Sequence, residues 1–506
     1  MLAKTRSAAV VGLEGAIVEV EVDISPGLPS LPIVGLPDKA VQEARERVRS
    51  AIRNSGYQFP NRRITVNLAP ADLKKEGPAY DLPIALAILA GSGHLNIDFS
   101  GCVFLGELSL DGKVRHTHGV LPMVALARDK GFSSVFVPLD DAREASLIED
   151  VRIYPTESLA QLVTHLQGQR DIQEYRPETK WRERFRPSYT HDLSQVKGQE
   201  HAKRAVEVAA AGGHNILMCG PPGSGKTMLA RTLPSILTPL TMEEAIEVTK
   251  IYSVTGLLPQ DAPIISERPF RSPHYTTSHA GLVGGGQWPR PGEVSLSHHG
   301  VLFLDEFPEF GHAALESLRQ PMEDRQVTVS RAQGSVTFPA SFMLVAAMNP
   351  CPCGYYGDPV RECKCAAGEI SRYHRRISGP LLDRIDIFVD VPRVEYEKLV
   401  DERPSETSEA ARARVEEARA TQERRFRGIG VACNAEMTPR EVKEFCSLEG
   451  QVADLLRAAM KQFHLSGRAF HRVLKLSRSI ADLENSDAIT SAHVAEALQY
   501  RHREII

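Results

Sequence analysis

The sequence predicts an α/β protein of several domains, and three observations carry that expectation. Its 506 residues exceed what one hydrophobic core organises, so two or three domains are expected. Up to about residue 391, short apolar strand-like runs alternate with stretches of helical period. Past a polar, proline-containing stretch at 401–408, the pattern is helical to the end.

Residues 1–167 form the first segment. Ile17-Val18-Glu19-Val20-Glu21-Val22 alternates as a half-buried strand does. Ile64–Leu68 and Val103–Leu105 read the same way, set among helical stretches at Lys39–Asn54, Leu82–Ala90 and Leu121–Lys130. That is an α+β or α/β pattern. Residues 168–190 are charged, hold two prolines and lack apolar period, which reads as a linker. Residues 191–395 form an α/β core and residues 396–506 a helical domain. Helices are expected there at Glu409–Phe426, Pro439–Ser447, Gln451–Phe463, Gly467–Asn485 and Ser491–Arg503, with Thr438 and Thr490 as starts.

Composition excludes some classes. A net charge of -4 argues against a bulk polycation, so any nucleic-acid contact needs a local basic stripe. No apolar run approaches the roughly 20 residues that span a bilayer, so no membrane partner is expected. The first residues imitate a signal peptide, but Glu14 interrupts them and no small-residue cleavage site follows. Eight cysteines, four of them bunched at 351–365, suit a reducing compartment better than a disulfide scaffold, which points to the cytoplasm.

The strongest chemical signal is Gly220-Pro221-Pro222-Gly223-Ser224-Gly225-Lys226-Thr227. It follows an apolar run, Asn215–Cys219, and precedes a helix-prone stretch, the context a phosphate-binding P-loop requires. Its glycines let backbone N–H groups wrap phosphates at a helix N-terminus. Lys226 would reach the outer phosphates of ATP and Thr227 would hold Mg²⁺. Val301–Leu304 then reads as a buried strand ending in Asp305 and Glu306. Alone, such an acidic pair is usually a solvated strand end. After a P-loop, Asp305 is expected to anchor the Mg²⁺ shell and Glu306 to polarise the attacking water.

Three further residues follow in order. Phe342–Met348 is a strand ending in Asn349, suited to orienting water or to capping the turn before Pro350. Arg384 precedes the strand-like Ile385–Val391, where a guanidinium supplied to a neighbouring subunit would neutralise transition-state charge. Ser466-Gly467-Arg468 opens a helix from which Arg468 could fold over nucleotide.

Together these motifs stand in the order of an AAA+ module. With Asp192–Gln199 and Arg268–His274, the chain resembles the magnesium-chelatase-related branch, specifically the ComM (YifB) competence family, over nearly its whole length. The resemblance implies a central AAA+ P-loop αβα domain with β-hairpin inserts and a C-terminal helical lid. It also implies a homo-hexameric, DNA-binding ATPase that drives branch migration in homologous recombination and natural transformation. Single-stranded or branched DNA would be the partner, with Asn349 as sensor 1, Arg384 as the trans arginine finger and Arg468 as sensor 2.

Two inserts bear on that partner. Gln326–Phe338 alternates about a glycine-containing tip and reads as a β-hairpin. In related motors such a hairpin enters the ring pore, so Arg331 and Gln333 would meet phosphate or sugar. Gly281–Glu293 reads as a flexible loop exposing Trp288 and Arg290, an aromatic beside a cation that suits stacking on bases. Cys351, Cys353, Cys363 and Cys365 form a C-x-C…C-x-C set able to close a structural Zn²⁺ site, although each pair is one residue tighter than the usual spacing.

Lys75–Asp81 and Gly106–Arg115 resemble the proteolytic domain of Lon, which implies an α+β fold of the ribosomal S5 domain 2 type. Where that family has its nucleophilic serine this chain has Ala79, and Leu121 stands for the activating lysine. Neither side chain can do the chemistry, so protease activity is not expected. A metal-insertion ATPase and a chaperone-like remodeller are the other functions considered. Nothing in the sequence resembles the acidic metal-binding domain that the former needs in its partners.

Overall fold

The computed structural model describes residues 1–73, 75, 77, 79–176, 189–259, 263–286, 289–331, 334–399 and 405–501. The chain divides into two compact units. One comprises Met1–Arg186 with Met242–Ile265; the other comprises Pro187–Thr241 and Ser266–Ile506. Sequence order puts the helix Met242–Thr255 inside the nucleotide-binding segment, yet it belongs to the first unit. Among the described residues no helix is long and apolar enough to cross a membrane.

The first unit holds a four-stranded sheet in the order Leu2–Val11, Glu14–Ser25, Arg63–Ala69, Ile33–Val34. Period-two alternation turns Val18, Val20 and Val22 into the core and leaves Glu19 and Glu21 outside. There Lys4 meets its register partner Glu21 at 2.7 Å. The helix Lys39–Asn54 starts where Asp38 Oδ1 accepts from the Val41 N–H, and buries Val41, Ala44, Val48, Ala51 and Ile52. The helix Asp81–Gly91 is apolar on nearly every side, and residues Asp81–Leu89 are all buried. A second sheet runs parallel through Cys102–Phe104, Ser134–Pro138 and Arg152–Thr156.

In the other unit five parallel strands stand in the order Phe270–Arg271, Val301–Leu304, Met343–Met348, Ile216–Cys219, Ile387–Asp390. Helices cover such a sheet on both faces, which is why its strands are continuous apolar runs instead of alternating ones. Glu200–Gly212 and Lys226–Ile236 pack here, and the C-terminal helices Ser408–Phe426 and Gly467–Leu483 join the same hydrophobic core. Thr407, Thr438, Ser466 and Thr490 cap their helices by accepting backbone N–H bonds.

Both inserts are hairpins. Gln326–Arg331 pairs with Gly334–Pro339, closing at Arg331 and Gly334. Gly281–Glu293, expected as a flexible loop, is instead the end of a helical turn followed by a short ladder of Gly284–Gly285 on Arg290–Pro291. Its glycines serve close packing: Gly284 sits at φ +111°, and a Cβ there would stand 2.5 Å from the Arg290 carbonyl.

Candidate functional site

Three parallel strands deliver their C-terminal ends to one place. Cys219 pairs in register with Met348, and Leu304 with Ala346, so Gly220, Asn349 and Asp305 emerge side by side. Beyond Cys219 the chain turns through a loop in which Gly223 and Gly225 take φ +75° and +89°. Only glycine adopts that region at no cost. Gly220 lies against a neighbouring strand's extension; a Cβ there would stand 2.1 Å from the Val391 oxygen.

Lys226 begins the following helix and is 8% exposed. Its ammonium donates to the carbonyls of Gly220 (2.8 Å) and Pro221 (3.0 Å) and to Asn349 Oδ1 (3.3 Å). Burial pushes its pKa below the usual lysine value. These partners are neutral, so an incoming phosphate would meet a cation without a charged competitor in direct contact. Thr227 Oγ1 donates to Asp305 Oδ2 at 2.8 Å, and Asp305 Oδ1 accepts from the Glu306 N–H at 2.9 Å. Glu306 itself is exposed and sits at φ +52°. A left-handed backbone at a non-glycine residue costs about 1–3 kcal/mol and persists at sites where side-chain direction matters.

Next to the loop opens a cavity of about 440 Å³, lined by Gln195–Lys197, Gln199, Pro222–Gly225, Met228, Arg393 and Val394. Gln199 Nε2 ties this wall together by donating to the Ser224 and Pro392 carbonyls. Size and position suit the base and sugar of a nucleotide whose phosphates lie on the loop. Sequence reading missed Gln199 and Arg393 as site residues. They stand 21 residues before and 173 after Gly220, and only the fold brings them to it.

Cys351, Cys353, Cys363 and Cys365 converge, with their sulfurs all within 4.8 Å of one another. Three of the separations are 3.3, 3.6 and 3.6 Å. Four thiolates around Zn²⁺ at about 2.3 Å stand about 3.8 Å apart, so the donor set fits a closed tetrahedral site. The same loop reaches the cavity beside the P-loop. Gly354 packs on Pro222, where a Cβ would stand 2.5 Å away, and Asp358 pairs with Arg393 at 3.3 Å. The Tyr355 ring lies 5.6 Å from the Arg393 guanidinium.

Other sequence-predicted residues stand apart from this crevice in their bonding. Arg384 donates to the Pro380 carbonyl at 2.6 Å and pairs with Glu323, while its Nε is buried without an acceptor. Arg468 is exposed and lies 3.6 Å from Asp383. Arg331 is exposed at the end of its hairpin strand and Arg290 is exposed on the other insert. The two inserts touch: Arg331 Nη2 lies 3.2 Å from where a Gly285 Cβ would be. Gln333 and Trp288 lie outside the described residues. In the first unit Ala79 and Leu121 are buried.

Comparison with known proteins agrees along the chain. The family model for magnesium chelatase, subunit ChlI, matches residues 192–399. Models for subunit ChlI of Mg-chelatase and for the ChlI C-terminal part match residues 20–141 and 405–501. Competence protein ComM of Haemophilus influenzae is 43% identical over 505 residues, 99% of this chain and 97% of its own length. YifB of Escherichia coli is 42% identical over 497 residues, 97% of this chain and 96% of its own length. Lon protease 2 of Bacillus subtilis is 30% identical over 164 residues, 30% of this chain and 28% of that protein. With near-complete coverage on both sides, the chain belongs to the ComM (YifB) family of magnesium-chelatase-related AAA+ ATPases.

Proposed function

We propose that the chain is an Mg-ATP-driven motor on single-stranded or branched DNA, acting as a homo-hexameric ring in the recombination of incoming DNA during natural transformation. The observation that carries the ATPase part is the meeting of Lys226, Thr227, Asp305 and Asn349 at three adjoining strand ends. ATP supplies the transferable phosphoryl group, and Mg²⁺ would neutralise its charge. Residues Gly220 to Gly225 cradle the phosphates, Lys226 reaches the outer two, and Thr227 with Asp305 holds the metal. Glu306 polarises water in the crevice, and Asn349 orients it. Arg384 serves the neighbouring subunit's site, and Arg468 closes over nucleotide from the helical lid. Zinc on the four cysteines would be structural, because four protein ligands leave no open position.

The DNA part is supported by the name of the Haemophilus relative, a competence protein, and by Arg331 and Arg290 on touching inserts. In a ring such inserts would face a strand's backbone. The test is turnover measured without DNA and with linear, single-stranded and branched DNA. Stimulation by single-stranded or branched DNA is expected. Hydrolysis indifferent to all DNA would remove the motor reading while leaving the ATPase, and would favour metal insertion or protein remodelling. Replacing Arg331 and Gln333 by Ala should weaken DNA binding for all sequences alike. It should also flatten the salt dependence, by about 0.7–0.9 in slope for each phosphate no longer neutralised.

A further inference from the structure

The helix Lys39–Asn54 of the first unit divides its surface sharply. Val41, Ala44, Val48, Ala51 and Ile52 enter the core, while Lys39, Arg45, Arg49 and Arg53 are exposed. Arg45, Arg49 and Arg53 recur every fourth residue, so they form one row with a stride of about 6 Å along the axis. Like charges so spaced destabilise a helix. Among the described residues no carboxylate forms an ion pair with Lys39, Arg45, Arg49, Arg53 or Arg62. Glu43 leans towards Arg47 instead, at 3.9 Å.

The row is one wall of a trough. Pro29–Leu31 and Phe59–Arg62 complete a concavity of about 830 Å³ whose lining carries five cations against Glu43 and Glu46. On a chain of net charge -4, that is a local surplus of the opposite sign. Phe59 is half-buried in the wall, and the Arg49 guanidinium stands 5.9 Å from its ring centre. A cationic track beside an aromatic platform is the pairing that holds a sugar–phosphate backbone and stacks a base. Repelling guanidiniums at a regular stride are best relieved by an anion that is itself a regular chain.

We infer that this trough binds the backbone of single-stranded DNA without sequence preference, giving the strand a second grip besides Arg331 and Arg290. The inference rests on DNA being the substrate. No residue of the trough belongs to the nucleotide crevice, so hydrolysis without DNA should not change when the trough is altered.

The experiment is a salt titration of full-length protein binding to a labelled thymidine homopolymer. Wild type is compared with Arg45→Ala/Arg49→Ala/Arg53→Ala, with the same three positions changed to Lys, with Phe59→Leu and with Arg331→Ala. The triple Ala variant should bind more weakly and lose about 2 from the salt slope, three phosphates at about 0.7 each. The Lys variant should keep the slope. Phe59→Leu should lose roughly tenfold in affinity at unchanged slope, as expected for one stacked base. A urea midpoint for the first unit equal to wild type, with basal turnover unchanged, certifies that the trough variants are folded. Unchanged affinity and slope in the triple Ala and Phe59→Leu proteins, with Arg331→Ala weakened, would overturn the trough and leave the motor reading standing. Wild type that binds no DNA would overturn the motor reading first. An unlabelled duplex competing as well as the single strand would overturn the assignment to single strands.

Discussion

Lys226 and Asp81 are both nearly sealed from solvent, yet their surroundings differ in kind. Around Lys226 stand neutral oxygens from Gly220, Pro221 and Asn349, which hold an ammonium without neutralising it. Around Asp81 stands a counter-charge: Arg47 donates Nε to Oδ2 at 2.6 Å and Nη2 to Oδ1 at 3.1 Å, and the Leu108 N–H adds a third bond. Glu144 in the same unit is a third case: it is hydrogen-bonded only to neutral donors, the Ser253 hydroxyl at 2.5 Å and the Leu121 N–H at 2.9 Å. A buried charge met only by neutral groups is either available to a ligand or driven towards its neutral form; one paired with a counter-charge inside the chain can hold the fold. Ala79 and Leu121 agree with that division, since neither offers a nucleophile or a base in the first unit.

The division breaks if the crevice proves dispensable. Lys226→Ala should abolish nucleotide binding, read by titration with a fluorescent ATP analogue; unchanged affinity would contradict the phosphate role. Glu306→Gln should keep binding but lose turnover, because water loses its acceptor while Asp305 keeps its bond to Thr227. Phosphate release near the wild-type rate would remove Glu306 from that role.

A smaller loss, roughly 10³-fold in turnover, is expected for Arg384→Ala with nucleotide still bound. Within its own chain Arg384 is engaged by Glu323 and Pro380, and the proposed role has it serve the crevice of a neighbouring subunit. Mixing the Arg384→Ala and Glu306→Gln proteins should therefore restore activity at interfaces that pair an intact Glu306 with an intact Arg384. Co-assembled rings showing no rescue would return Arg384 to a structural part.

Glu144 tests the third case, a buried carboxyl driven towards its neutral form. Burial lifts its pKa from 4.5 to about 7. Between those values the folded chain keeps a proton that the unfolded chain has released. This group's destabilisation is thus absent below about pH 4.5, grows as pH rises, and levels off above about 7 at about 3 kcal/mol. Glu144→Gln keeps an acceptor for Ser253 and Leu121 without the charge. It should flatten the pH dependence of the first unit's unfolding and stabilise that unit at pH 8. Equal urea midpoints for both proteins from pH 5 to 8 would show that Glu144 is not strained.

Much of the crevice is legible in the sequence because its parts are contiguous words: a loop between strand and helix at 220–227, and strands ending in Asp305 and Asn349. Residues joined only by folding are not legible. Gln199 and Arg393 meet at the cavity from opposite sides of the P-loop in sequence. Nor does sequence order reveal that Met242–Ile265 leaves one unit to complete the other. Gly281–Glu293 reads as a loop because glycine is a turn signal. Here the glycines allow two hairpins to approach, a use visible only once Val329 is seen 3.0 Å from where a Cβ at Gly284 would stand.

The smallest effect concerns the cysteine loop, which sharpens the comparison because it places a structural cluster against the functional one. Purified under reducing, chelator-free conditions, the protein should carry about one zinc per chain, bound by thiolates and lost on strong chelation. The loop between Cys353 and Cys363 supplies Gly354 to Pro222, and Asp358 and Tyr355 to Arg393. Losing the metal frees those groups without touching Lys226, Thr227 or Asp305. Chelated protein, or Cys353→Ser, should therefore bind nucleotide several-fold more weakly, a loss of about 1 kcal/mol, while phosphate recognition survives. Inorganic pyrophosphate makes the distinction: it needs the P-loop but not the base cavity, so its affinity should hold as that of ATP falls. If both fall together, the cysteine loop supports the whole unit and not the cavity wall. Metal analysis finding no zinc in the untreated protein would end the proposal outright.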